Sequence, residues 1–433
     1  MPRLIDAADA GFADAFTALV DEVREAASDV DGIVAGVLAD VRARGDAAVF
    51  DLTERFDRIR LTPDSVRVTP AELDAALAEA DPKAVAALRV AAERIRAFHA
   101  RQMPADDWFV DDQGVGLGLR WSPVDAVGIY VPGGTAAYPS SVLMNAVPAQ
   151  VAGVPRVVMT VPTPDGRLSP LVLAAAAIAG VREIYRVGGA QAIGALAYGT
   201  ASIAPVDKIV GPGNAYVATA KRQVAGAGIV GIDSFAGPSE ILVIADGQND
   251  PAWIAADLLS QAEHDPVAQA ILITDDAGFA RRVEQAAEGH LAALPRAAIA
   301  RESWDRFGAI IVVGSLDDTP ALVARLAPEH LEIATDRPHD LAARMHNAGA
   351  IFLGRHTPEA IGDYVAGPNH VLPTARTARF SSGLSVFDFL RRTTLVECTP
   401  ESVAAIGPAA VTLADAEGLD AHALSVRLRL DAR

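Results

Sequence analysis

From residue 124 onward the chain repeats one unit: a short apolar run, a glycine- or proline-rich loop, then an alanine-rich helical stretch. That rhythm constrains the fold most, because successive β-α units with apolar strands build a parallel sheet covered by helices. Strands are expected at 127–131, 157–161, 183–187, 208–210 and 229–232, with helices from Ser140 onward and at 170–179, 191–198 and 215–225. A second series begins at Ser239, with strands at 240–245, 270–274, 309–313, 331–334 and 350–353 and helices at 251–263, 278–294, 320–326 and 338–345. The fold class is therefore α/β, with two Rossmann-like but incomplete parallel-sheet domains, 123–238 and 239–375, and a crevice between them. Ligands of such sheets are expected beyond the carboxyl ends of the strands.

Residues 1–122 read as an N-terminal helical region, with apolar residues recurring at three and four over 12–27, 33–44, 70–80 and 82–99. After Arg376 the pattern breaks into a Ser/Gly/Arg loop and short helices to Arg433. This tail, 376–433, is too thin in core to stand alone and must dock on something.

The chain has 433 residues, 51% of them hydrophobic, enough to fill two or three cores. Its 37 basic and 55 acidic residues give a net charge of −18, which argues against nucleic acid and against an anionic membrane surface as partners. No apolar run approaches the roughly twenty residues of a membrane span. The opening Met1-Pro-Arg-Leu lacks a signal peptide's pattern, and Asp6, Asp9 and Asp14 oppose a transit peptide. One cysteine, Cys398, excludes an internal disulfide and a thiolate-rich zinc site, so a cytoplasmic location is the simplest reading and any metal must use nitrogen and oxygen ligands.

Several stretches hold groups able to do chemistry. In Asp257-Leu-Leu-Ser-Gln-Ala-Glu-His-Asp265, Gln261 and His264 are three apart and share a helix face, so both could reach one cation; a helix-end capping or surface pair has the same spacing. In Ala327-Pro-Glu-His-Leu331, Pro328 stops a helix and leaves Glu329 and His330 at a corner, where both can face one ligand and serve as an acid/base pair; a charged surface loop is the alternative. Asp363 and His370 share a polar loop, and Glu417 and His422 lie in the tail, where capping and surface roles are the ordinary readings. Three glycine loops at the same ends of one sheet, at 130–134, 188–191 and 211–216, could present Tyr130, Gln191 and Asn214 to a nucleotide. The last of them reads G-x-G-x-x-Y with Asp233 following, half of a dinucleotide fingerprint. A tight turn that needs glycine accounts for the same loop.

Together these stretches resemble the histidinol dehydrogenase family. The resemblance rests on Val127-Gly-Ile-Tyr-Val-Pro-Gly-Gly134, Gly188-Gly-Ala-Gln-Ala-Ile-Gly194, Gly211-Pro-Gly-Asn214, Gly237-Pro-Ser-Glu240, Leu259-Ser-Gln-Ala-Glu-His264, Ala327-Pro-Glu-His330, Gly362-Asp-Tyr364, Asn369-His-Val-Leu-Pro-Thr374, Ser382-Gly-Leu-Ser385 and Glu417-Gly-Leu-Asp-Ala-His422, in the family's order. It implies zinc on Gln261, His264, Asp363 and His422, proton transfer by Glu329 and His330, and NAD contacts from Tyr130, Gln191 and Asn214. Ser239, His370 and Glu417 are then substrate contacts, shared with His330 and the metal ligands, and Asp233 becomes structural. The implied reaction is the oxidation of L-histidinol to L-histidine through the aldehyde with two NAD+, in histidine biosynthesis. The resemblance also implies a domain-swapped homodimer in which the tail enters the partner's site, a choice that sequence alone does not separate from folding back. Competing readings are a related zinc/NAD dehydrogenase for another small alcohol, a zinc hydrolase, and a silent nucleotide-binding protein.

Overall fold

The computed structural model describes residues 1–22, 30–133, 138–234 and 237–432. Every residue of the strand Ala126–Tyr130 is buried, as a parallel strand covered on both faces requires. Its alternate side chains enter two cores, Val127 and Ile129 on one face and Ala126 and Tyr130 on the other. It lies third in a five-stranded parallel sheet of order Glu183–Tyr185, Arg156–Thr160, Ala126–Tyr130, Lys208–Val210, Gly231–Ile232.

A second parallel sheet has six strands, in the order Arg3–Asp6, Ala309–Val312, Gln269–Thr274, Glu240–Ala245, His330–Ala334, Ala350–Leu353. Its strand Glu240–Ala245 divides its side chains in the same way, Ile241, Val243 and Ala245 against Leu242 and Ile244.

The N-terminal helices complete these layers. Val34, Leu38 and Val41 of Asp31–Arg44 fill one face of the first sheet, and Ala91, Ala92 and Ile95 of Pro82–Ala100 fill the other. The helix expected over 12–27 is seen as Phe12–Val20, and its stretch 23–27 lies outside the described residues, as does Gly134 of the first glycine loop. Helices at Asp46–Asp57 and Ala297–Phe307 were not anticipated.

Four strands are absent from the sequence reading. Arg3–Asp6 adds a parallel edge to the second sheet through Ala309–Val312, so the N-terminal region is not helical throughout. Asp107–Val110, Gly116–Pro123 and Leu390–Glu397 form a separate antiparallel sheet in which Leu390–Glu397 pairs along its whole length with Gly116–Pro123. That ladder anchors the tail. Beyond it the helices Pro400–Ala416 and Asp420–Asp431 pack on each other.

Candidate active site

The residues with acid/base potential lie where the second sheet begins. Ala327 ends the helix Thr319–Leu326 in a left-handed conformation (φ +45°), Pro328 follows, and His330 is the first residue of its strand. Glu329 Oε2 accepts a hydrogen bond from the Glu240 N–H at 2.9 Å, and Glu240 Oε2 accepts one from the Glu329 N–H at 3.3 Å. The second Glu240 oxygen accepts from the Ala375 N–H at 3.1 Å. His330 Nδ1 lies 2.9 Å from the Glu240 carbonyl oxygen, which can only accept, so Nδ1 carries the hydrogen. The other ring nitrogen, Nε2, is buried without a hydrogen-bond partner among the described residues and faces Asp363 Oδ1 at 3.6 Å and Glu359 Oε1 at 3.9 Å. Glu329 and His330 are both buried, with Oε2 and Nδ1 3.7 Å apart, so the corner does bring the adjacent pair together.

Asp363 and Glu359 share the short helix Glu359–Tyr364, four residues apart and hence on one face. Ligand atoms of His330, Glu359 and Asp363 all lie within 4.8 Å of one another, close enough to hold a cation. Of these, Glu359 was missed by sequence reasoning, although its i,i+4 spacing from Asp363 was visible. Its carboxylate accepts from Gln261 Nε2 at 2.6 Å and lies 2.9 Å from Ser260 Oγ.

Gln261 lies in the last turn of the helix Pro251–Ala262, which Asp250 caps by accepting the Ala252 N–H at 2.9 Å. This helix runs back from the carboxyl end of Glu240–Ala245, so its last turn, like Ser239, Glu240, Glu329 and His330, lies at the amino ends of the strands. On the second sheet these polar groups gather at the amino ends of the strands, whereas ligands are expected beyond the carboxyl ends. There the connecting helix, rather than a strand-to-helix loop, brings polar groups to the site.

His264 follows one turn later, an exposed residue whose N–H bonds to the Gln261 carbonyl at 3.0 Å while partial burial of its imidazole lowers its pKa. Half-buried His370 places Nδ1 3.1 Å from the Asp363 carbonyl oxygen. Phe352, Asp363, Asn369 and His370 line a cavity of about 260 Å³. Ser239, half-buried, precedes Glu240 and accepts the Gln269 N–H on its carbonyl at 3.0 Å. Glu417 and His422 are exposed on the C-terminal helical hairpin and do not join the His330–Glu359–Asp363 group.

Electrostatics sharpen the site. Burial pushes the Glu329 carboxyl up to about 8 against the opposing pull of His330. Burial alone would lower His330, but the charges of Glu329, Asp363 and Glu359 outweigh it and raise it to about 10. Burial and the neighbouring Asp363 raise Glu359 to about 8. Burial would lift Asp363 too, yet His330 holds it at about 2. At 3.6 Å that pair attracts by charge, without a hydrogen bond.

At the first sheet, Tyr130 ends its strand and its buried hydroxyl accepts the Gly189 N–H at 3.1 Å. Gly189 has φ +65°, and a side chain there would meet Gln191 Oε1 at 2.7 Å, so Tyr130 and Gln191 come together around this turn. Asn214 is exposed and caps the helix Ala215–Gly226, its Oδ1 accepting from the Tyr216 and Val217 N–H groups at 3.1 and 3.2 Å. Asp233 accepts the Gly211 N–H at 2.8 Å and pairs with Lys221, which donates to the Gly211 carbonyl at 3.0 Å. Gly211 is at φ +102°, and a Cβ there would fall 2.2 Å from the Tyr130 carbonyl oxygen. The Asp233 carboxylate therefore holds a turn.

The family model for histidinol dehydrogenase matches residues 21–430. A histidinol dehydrogenase from Ruegeria pomeroyi is 64% identical over 431 residues, covering 100% of this chain and 99% of its own. One from Rhodospirillum rubrum is 64% identical over 432 residues with the same coverage. The crystal structure of histidinol dehydrogenase from Elizabethkingia anophelis superposes with a TM-score of 0.95 at 36% identity, covering 100% of this chain and 98% of that one.

Proposed function

The chain belongs to the histidinol dehydrogenase family, and on that premise we propose that it oxidises L-histidinol to L-histidine through the aldehyde, reducing two NAD+ in succession. The observation that carries the reading is the fixed orientation of His330, with Nδ1 tied to Glu240 and Nε2 turned, unpartnered, toward Asp363.

We assign zinc to Gln261, His264, Asp363 and His422 of the partner subunit. The fit rests on Gln261 Oε1, a buried acceptor without a hydrogen-bond partner among the described residues, and on a donor set free of thiolates. When bound, the metal supplies a positive template for the amine and imidazole nitrogens of histidinol and offsets the carboxylate charge that keeps His330 protonated.

The remaining steps belong to the chain's own side chains. His330 Nε2 takes the hydroxyl proton as hydride leaves the carbinol carbon for NAD+. Glu329, raised by burial toward neutral pH, activates the water that adds to the aldehyde. His330 returns its proton to the aldehyde oxygen as that water adds, and is then free to take the proton of the hydrate as the second hydride departs. Ser239, His370 and Glu417 of the partner subunit hold the substrate, and Tyr130, Gln191 and Asn214 hold NAD. The exposed places of Glu417 and His422 within one chain support a tail swapped into a second copy. No helix among the described residues is long and apolar enough to cross a membrane, which agrees with the cytoplasmic location we propose.

The test is absorbance at the reduced-nicotinamide band with histidinol, NAD+ and metal-depleted protein, before and after zinc is added back. Zinc-dependent absorbance is expected. Product without reduced nicotinamide would indicate a hydrolase, and turnover of another small alcohol in place of histidinol would indicate the related dehydrogenase.

A further inference from the structure

We propose that Glu359 is a positioning residue that locks the Gln261 amide with its oxygen facing the metal, an inference that rests on the zinc reading above. An amide has a donor end and an acceptor end, and which end faces a site is decided by what the other end bonds. Gln261 Nε2 lies 2.6 Å from Glu359 Oε1. Donors already meet both Glu359 oxygens, Gln261 Nε2 on Oε1 and Ser260 Oγ on Oε2, so the amide nitrogen faces Glu359 and Gln261 Oε1 turns away from it. That oxygen is fully buried and meets no donor among the described residues. A buried acceptor without a partner is unfavourable unless a ligand satisfies it. Turning the amide over would break the donation from Gln261 Nε2 to Glu359 Oε1.

Glu359 is itself held from three sides. Its N–H donates to buried Glu332 Oε1 at 2.5 Å, Ser260 Oγ lies 2.9 Å from Oε2, and Pro358 precedes it at the start of the helix. Ser260 is the residue before Gln261, so two consecutive side chains of one helix end meet the same carboxylate. Outer partners of this kind set the orientation of metal ligands, and removing one typically weakens metal binding by about 10- to 100-fold.

Replacing Glu359 by Gln keeps the shape and the buried hydrogen bonding but allows the Gln261 amide to turn over, since the new amide can donate to its oxygen. Zn2+ affinity of metal-depleted protein, measured by competition with a chromogenic chelator, is expected to fall by about 10- to 100-fold in E359Q, with the metal-free unfolding midpoint unchanged. The exchanged pair Q261E/E359Q restores one donor and one carboxylate with an oxygen toward the metal. It is expected to recover binding to within several-fold of wild type. Wild-type affinity in E359Q, or no recovery in the folded double variant, overturns the proposal. If E359Q does not fold, the double variant is compared directly with wild type, and a folded double variant that fails to bind Zn2+ overturns it equally. Failure of the unaltered protein to bind Zn2+ overturns the zinc reading instead.

Discussion

His330 Nδ1 and the Glu240 carbonyl oxygen lie 2.9 Å apart across the first residues of two adjacent strands. The backbone of one strand thus sets the tautomer of a side chain on its neighbour. Nε2 is left as the nitrogen able to take a proton. His330→Asn removes Nε2 while retaining an amide near Glu240, and it is expected to lower kcat for histidinol oxidation by about 10²- to 10⁴-fold. Steady-state kinetics of both half-reactions check this, and a loss confined to KM would contradict the role.

Glu329 is bonded to Glu240 rather than to His330, which suits separate duties for the two groups. Glu329→Gln is expected to slow oxidation of the aldehyde by about 10²-fold or more while affecting alcohol oxidation less, since only the second step needs an activated water. Measuring each half-reaction with its own substrate decides the matter. Equal losses in both would contradict the assignment.

The buried charges also give the metal-free protein a defined pH response. Glu329 rises from 4.5 to about 8 on folding and His330 from 6.5 to about 10, so the folded chain holds more protons than the unfolded one between those values. The contribution of Glu329 is fully present below pH 4.5 and lost as pH rises through 8. That of His330 is present below 6.5 and lost through 10. Stability should therefore fall from pH 6.5 to 8, by at most about 1.4 kcal/mol per pH unit for each group. Denaturant titrations of metal-free protein should show the decline, with a shallower slope in Glu329→Gln; a flat or rising profile would contradict it.

The two parallel sheets were legible because strands covered on both faces read as unbroken apolar runs, as in Glu240–Ala245. Asp107–Val110 is exposed at every residue and its apolar run, Trp108-Phe109-Val110, is too short to stand out, while Leu390–Glu397 is largely exposed and polar through Arg391-Arg-Thr-Thr394. Arg3–Asp6 is four residues long and finds its partner some three hundred residues away, beyond any local pattern. Within the site, Glu329 and His330 stood out as neighbours at a proline-marked corner. Glu359 did not, because a glutamate after a proline looks like an ordinary helix start, and only the return of its helix to the amino ends of the strands places it against Gln261. Asp233 fits half of a nucleotide fingerprint in sequence, but its carboxylate is engaged by Lys221 and Gly211.

The exposed positions of Glu417 and His422 bear on assembly. Mixing His264→Ala chains with His422→Ala chains is expected to restore about half of the activity per hybrid, or about a quarter for an equal, randomly exchanged mixture, since a swapped hybrid dimer contains one intact site of two. Activity and subunit exchange are measured together. No recovery after confirmed exchange would contradict shared sites.

On the proposed function, one site carries out two successive hydride transfers without releasing the aldehyde. The most direct test is the yield of reduced nicotinamide from limiting histidinol with excess NAD+ and zinc-loaded protein, with an aldehyde trap in solution. Two equivalents per histidinol consumed, with histidine as the product and nothing trapped, are predicted. One equivalent with trapped aldehyde would contradict successive oxidation in one site.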